Sequence, residues 1–307
     1  MSKTIAWIGL GYMGNPMSQN MIEAGYSVRG YDIDSDAQNR AKKNGVIITN
    51  SIAEACQGAE AIFTMLPTGK EVKEVLTGSD GVFAHADSNA LVIDCSTIGI
   101  DMAGEIHKCS DNAGSRFVEA PVSGGTEGAR DATLTFMMGG KESDIPQATS
   151  LLEHLGEYIA HVGGPQAGQA AKVVNNLIMA VCVTVNCEAT ALAERLGLDL
   201  KAMFDIVTHS SGDNWTFRLW NPAPGVVPDA PSSHEFKAGF KTWLLAKDLS
   251  LALTAGRSVG LNISTAEAAH RLMDNHAQSG CADMDATSLL LSLSSKNKVP
   301  DKEQALS

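Results

Sequence analysis

The run Gly9-Leu10-Gly11-Tyr12-Met13-Gly14 follows directly on the apolar residues Ile5-Ala6-Trp7-Ile8 and opens a helix-spaced stretch that ends at Gly25. Few patterns restrict a chain more. In a strand that turns through Gly-x-Gly-x-x-Gly into a helix, the first glycine makes the tight turn. The second lets the backbone approach a pyrophosphate, and the third lets helix and strand pack closely. Free N–H groups at the helix start then attract phosphate charge. By itself the pattern could be no more than a tight turn. Here Asp32 ends the next strand, 18 residues beyond Gly14. A carboxylate at that place accepts hydrogen bonds from ribose hydroxyls and repels a 2′-phosphate, so the reading is an NAD site. Capping of the following helix suits Asp34 or Ser35 better than Asp32.

Apolar runs of strand length recur at Ser27 to Tyr31, Ala61 to Leu66 and Ala90 to Ile93, with helical spacing beginning near Asn15, Ser35, Gly69 and Asp101. That alternation predicts a doubly wound, mostly parallel α/β sheet. After Pro165 the strand-like runs give way to helical patterns over about 168–196, 199–209, 243–259, 264–278 and 284–294. Residues 221–238 hold four of the ten prolines and should be irregular. The expectation is a Rossmann domain over residues 1–163 and an all-α domain for substrate and oligomer contacts over 164–307, sharing one cleft.

Composition narrows the partners. A formal charge of -12 with scattered Lys and Arg argues against a nucleic-acid backbone. The six cysteines include no C-x-x-C pair and the eight histidines no triad or metal spacing, so no metal is expected and the thiols read as reduced. A first strand by Thr4 leaves no room for an export signal, which points to the cytoplasm, or to the mitochondrial matrix if an upstream transit segment was removed. The apolar run from Val173 to Cys187 is short for a bilayer and reads as a buried helix, with no membrane partner.

Two further stretches carry chemistry. In Gly168-Gln169-Ala170-Ala171-Lys172-Val173-Val174-Asn175-Asn176, Lys172 and Asn176 share one helical face. A lysine among apolar helix positions is either snorkelling or partly buried; burial would lower its pKa and make it a usable general base. The stretch Glu119-Ala120-Pro121-Val122-Ser123-Gly124-Gly125 follows a strand at Arg116–Glu119, and Ser-Gly-Gly suits a carboxylate.

Together with Ala246-Lys247-Asp248-Leu249, these motifs span nearly the whole chain and resemble the β-hydroxyacid dehydrogenase family. The resemblance implies that Lys172 is the catalytic acid/base and that Asn176, with Asn175 beside it, helps hold substrate. It assigns Ser123, Gly124 and Gly125 to the substrate carboxylate, and Leu66, Pro67, Thr97 and Lys247 to the cofactor alongside Gly9, Leu10, Gly11, Tyr12, Met13, Gly14 and Asp32. Asp248 would orient Lys247 or the substrate, and Trp215 and Trp220 fall where relatives wall the substrate pocket, although ordinary helix packing explains them equally well. The implied reaction is NAD-dependent oxidation of 3-hydroxyisobutyrate to methylmalonate semialdehyde. L-serine, tartronate semialdehyde and a non-catalytic nucleotide-binding scaffold stay open as alternatives. The family also implies a homodimer or homotetramer. One departure is Glu119, where the family usually has Asp; the extra methylene leaves room for a shift of the sheet edge, and the same reaction is expected.

Overall fold

A computed structural model describes residues 3–294, which divide into two compact units between Lys172 and Val173. The first unit runs β1 (Thr4–Ile8), α1 (Gly14–Glu23), β2 (Ser27–Tyr31), α2 (Ser35–Lys43), β3 (Ile47–Ile48), α3 (Ile52–Cys56), β4 (Ala61–Thr64), α4 (Gly69–Thr77), α5 (Val82–His85), β5 (Leu91–Asp94) and α6 (Ile100–Ala113). It continues with β6 (Arg116–Glu119), β7 (Val122–Ser123), α7 (Gly125–Asp131), β8 (Leu134–Gly140), α8 (Ile145–Leu152) and β9 (Gly156–Gly163). The sheet order is β3-β2-β1-β4-β5-β6-β8-β7, with β9 also paired to β8. From β3 through β6 every pairing is parallel; β8 runs antiparallel to β6 and β7, and parallel to β9.

β4 and β5 are buried at every position because helices cover both faces. Period-two geometry still divides their side chains: Ile5, Trp7, Ala61, Phe63, Leu91 and Ile93 join one core, and Ala6, Ile8, Ile62 and Val92 the other. Trp7 and Phe63 are register partners and stack at 4.8 Å. Chain order reverses at β1, whose neighbours β2 and β4 lead to opposite edges, so the loops after β1 and β4 flank the switch point where doubly wound sheets bind ligands.

From residue 167 the chain is helical: α9 (Ala167–Arg195), α10 (Leu200–Thr208), α11 (Trp215–Leu219), α12 (Thr242–Ser258), α13 (Ser264–His276) and α14 (Leu289–Leu293). Residues 221–238 are irregular apart from a short 3-10 turn at Pro231–His234. The core of the second unit interlocks Ala180, Val183 and Cys187 of α9 with Leu245, Leu249 and Leu253 of α12 and Ala266, Ala269 and Met273 of α13. The 29 residues of α9 are enough, by length and composition, to cross a bilayer, longer than the apolar run alone indicated. Half of its most apolar window is buried inside the protein.

Candidate active site

The glycine-rich turn is built from the backbone outward. Gly9 takes φ 96°, and its N–H donates to the Tyr31 carbonyl at 3.0 Å. Its carbonyl receives the Trp7 indole N–H at 3.1 Å. An added Cβ at Gly14 would stand 1.9 Å from that same carbonyl oxygen. At Gly11 an added Cβ would meet no protein atom within 4 Å. The packing of the chain therefore asks for glycine at 9 and 14 but not at 11, where open space fits the close approach of a pyrophosphate. Leu10 is fully buried and Met13 packs on the core, whereas Tyr12 is exposed, with the Arg40 guanidinium 5.8 Å from its ring centre.

Asp32, just past β2, accepts from Leu10 N–H at 2.6 Å through Oδ2 and from Asp34 N–H at 2.8 Å through Oδ1. It thus ties the glycine turn to the second strand. The cap of α2 is Asp34, which accepts from Asp36 N–H.

Leu66 and Pro67 follow β4, and Thr97 follows β5. The two loops are joined, since Leu66 N–H donates to Ser96 Oγ at 2.9 Å and that hydroxyl donates to Asp94 Oδ1 at 2.6 Å. Thr64 Oγ1 donates to the same oxygen at 2.7 Å. Complete burial pushes the Asp94 carboxyl up to about 6, against the hydroxyl hydrogen bonds that favour its charged form.

Ser123 closes β7, Gly124 takes φ 131° and Gly125 opens α7 at φ 64°, both in backbone regions closed to most side chains. Upstream, Glu119 ends β6. Its strand β6 lies inside the sheet, and the longer side chain reaches the start of α9. Glu119 Oε1 accepts from Gly168 N–H at 2.9 Å and Gln169 N–H at 3.3 Å, while Oε2 stands 3.2 Å from His107 Nε2. Room for this comes from Gly139 and Gly168: a Cβ would fall 2.5 Å from Glu119 Oε1 at the first and 2.4 Å from the Met137 carbonyl at the second.

Lys172 lies one helical turn further along α9 and is only 7% exposed. Two residues that fasten this helix start, Glu119 and Gln169, carry no functional role in the sequence pattern alone. The latter is fully buried; its Nε2 donates to the Ser96 carbonyl at 2.8 Å, and its Oε1 accepts from Ile98 N–H at 3.0 Å and Gly99 N–H at 3.2 Å. A glutamine amid small residues at a helix start was the available signal.

In the second unit a polar cluster joins α9 to α12. Asn175 Nδ2 donates to Asn176 Oδ1 at 3.0 Å, Asn176 Nδ2 donates to Asp248 Oδ2 at 2.7 Å, and Lys247 Nζ lies 3.4 Å from Asp248 Oδ1. Asp248 is 2% exposed, so its charge is held by Lys247 and the asparagine amide rather than by bulk water. Trp215 opens α11 and is half exposed. Trp220 packs edge-on to Phe240, 6.2 Å between ring centres, against the core of the second unit. Among the described residues no group of three or more His, Cys, Asp or Glu side chains is placed to hold a metal ion.

Residues 4–163 match the profile of the NAD binding domain of 6-phosphogluconate dehydrogenase, and residues 166–293 that of the NAD-binding region of NADP-dependent 3-hydroxyisobutyrate dehydrogenase. The 3-hydroxyisobutyrate dehydrogenase of Pseudomonas aeruginosa is 38% identical over 274 residues, covering 89% of this chain and 92% of its own. An NAD-dependent L-serine dehydrogenase from the same organism is 41% identical over 256 residues, covering 83% of this chain and 86% of its own. Among solved structures, Mycobacterium tuberculosis 3-hydroxyisobutyrate dehydrogenase with L-serine superposes at a TM-score of 0.86, with 41% identity over 95% of this chain and 99% of that one. With identity of this level sustained from the glycine turn through the helices, the chain belongs to the β-hydroxyacid dehydrogenase family.

Proposed function

We propose that the protein oxidises a short β-hydroxy acid with NAD, 3-hydroxyisobutyrate going to methylmalonate semialdehyde, and that Lys172 moves the hydroxyl proton. The observation that carries this reading is a lysine 7% exposed on a helix whose first turn is fastened by Glu119 and Gln169. A buried amine held on a rigid element suits proton transfer rather than solubility.

The residues divide the work. Gly9, Leu10, Gly11, Tyr12, Met13 and Gly14 hold the pyrophosphate side of NAD and Asp32 the ribose, with Leu66, Pro67, Thr97 and Lys247 as further cofactor residues. When bound, the nicotinamide ring supplies a hydride acceptor. Ser123, Gly124 and Gly125 take the substrate carboxylate and so fix which hydroxyl meets Lys172. Lys172 Nζ accepts that proton in oxidation and returns it to the carbonyl oxygen in reduction. Asn176, with its amide held by Asp248, keeps a hydrogen-bonding group one turn beyond Lys172, next to Asn175. Trp215 limits substrate bulk.

L-serine is the second substrate to consider, because one relative is named for its dehydrogenation and a related structure contains it. Initial rates of NADH formation with 3-hydroxyisobutyrate, L-serine and 3-hydroxypropionate decide between them. We expect 3-hydroxyisobutyrate to give the highest kcat/KM, and Lys172→Ala to lower turnover by about 10²–10⁴-fold while NADH still binds. Near-normal turnover by Lys172→Ala refutes the mechanism. Exposed Val174, Ile178, Val185 and Leu192 along α9 support a homodimer or homotetramer, which light scattering after gel filtration tests.

A further inference from the structure

We infer that Gln169 is a positioning residue, whose side-chain amide holds the start of α9, and with it Lys172, in register with the loop at residues 95–99. The inference rests on the proton-transfer role given to Lys172 above.

Gln169 uses both the oxygen and the nitrogen of its side-chain amide on another segment. Its carbonyl oxygen accepts from two successive backbone N–H groups, Ile98 and Gly99, and its amide donates to the Ser96 carbonyl. All of these partners lie some 70 positions away in sequence. Helix propensity explains none of this, since a surface glutamine would serve the helix equally well. The bonds enclose Thr97, the residue of that loop assigned to the cofactor. Through Ser96 Oγ and Leu66 N–H the link extends to the loop after β4. At the other end, the Gln169 main-chain N–H is held by Glu119.

The helix supplies the lever. Gln169, Lys172 and Asn176 recur at i, i+3 and i+7, so they occupy one face of α9. A side chain that fixes the first of these positions fixes the azimuth and height of the second. A 1 Å displacement of a proton-transfer group is enough to cost about 10²-fold in rate. Gln169 touches neither substrate nor reacting atoms in this scheme; it acts through Lys172.

Two variants separate anchoring from bulk. Gln169→Leu removes all three side-chain hydrogen bonds at similar volume. Gln169→Glu keeps an acceptor for Ile98 and Gly99 but sets an oxygen against the Ser96 carbonyl. In the ligand-free protein, hydrogen exchange at the Ile98 and Gly99 amides should speed at least tenfold in the leucine variant and much less in the glutamate variant. Acylation of Lys172 Nζ, followed by peptide mass spectrometry and referenced to Lys201, should speed at least threefold in the leucine variant. With the full enzyme, kcat should fall at least tenfold in the leucine variant with KM for the hydroxy acid changed by less than threefold, and the glutamate variant should recover part of it. If the leucine variant does not fold, the glutamate variant carries the same three readouts at smaller amplitude. A folded leucine variant with wild-type kcat and wild-type Lys172 acylation overturns the inference, and so does a glutamate variant with unchanged acylation and kcat if it alone folds. If the wild-type protein oxidises no hydroxy acid, the proposed reaction fails, while exchange and acylation still decide whether Gln169 anchors Lys172.

Discussion

The glycines at 11 and 14 look equivalent in sequence, yet their surroundings predict opposite behaviour on replacement by alanine. At Gly14 the new Cβ would sit 1.9 Å from the Gly9 carbonyl oxygen and 2.9 Å from Trp7 Nε1. A carbon–oxygen contact settles at about 3.3 Å, so α1 must retreat from the turn by about 1.4 Å or the carbonyl must rotate away. Rotation breaks the Trp7 hydrogen bond at 3.1 Å, worth about 1 kcal/mol, and the overpacking itself costs about 1–3 kcal/mol. Alanine at a helix start recovers at most about 1 kcal/mol of propensity. The balance is a loss of about 2 kcal/mol, or about 4–8 °C in Tm for a unit of this size. At Gly11 no protein atom lies within 4 Å and φ is not positive, so alanine is conformationally free. Reduced chain entropy in the unfolded state then stabilises by about 0.4–1 kcal/mol. NADH, however, loses its approach to the backbone, and we expect at least a tenfold weaker Kd, about 1.4 kcal/mol. Thermal melts of the ligand-free variants and calorimetric titration with NADH read both effects. The reasoning is refuted if Gly11→Ala binds NADH like wild type, or if Gly14→Ala melts at the wild-type temperature.

Asp32→Ala should lower kcat/KM for NAD more than for NADP, because the ribose acceptor and the charge opposing a 2′-phosphate vanish together; an unchanged ratio in paired rate measurements sinks the assignment. Buried His276, with Ser292 Oγ at 2.7 Å and Ser288 Oγ at 2.8 Å, has its imidazole pushed down to about 4 by burial. The unfolded chain therefore binds this proton first as pH falls from about 6.5, so stability is complete above that value and drains away toward pH 4, by up to about 3 kcal/mol. Urea unfolding of wild type and His276→Gln across that interval should show the slope in the former and its reduction in the latter.

Where residues are buried on both faces, the sequence is direct. β1, β4 and β5 read as apolar runs, and the turn after β1 announces itself through glycines at 9, 11 and 14. β9 is legible by neither run nor alternation, because most of its positions are partly or fully exposed. β8 ends in Gly139-Gly140, which reads as a breaker until Glu119 and Gly168 are seen to need the space. Lys172 and Asn176 were recognisable from a four-residue spacing within one helix. The clamps around them were not, because Gln169 and Glu119 meet their backbone partners across 49 to 73 positions of chain. Local pattern reports the face a residue shares; it is silent about the distant backbone that an amide or carboxylate will find.

The contact among Glu119, Gly139 and Gly168 has a consequence for recombination between relatives. A glutamate here reaches the Gly168 and Gln169 amides with one carbon–carbon bond more than the aspartate usual in the family, about 1.5 Å of extra span. A chimera that took residues 116–140 from an aspartate-bearing relative and kept residues 164–172 of this chain would inherit two amides set for a longer side chain. The reciprocal exchange would press a glutamate into space laid out for a shorter one. A crossover placed between these three positions would therefore divide a unit that the two glycines and the carboxylate make only together.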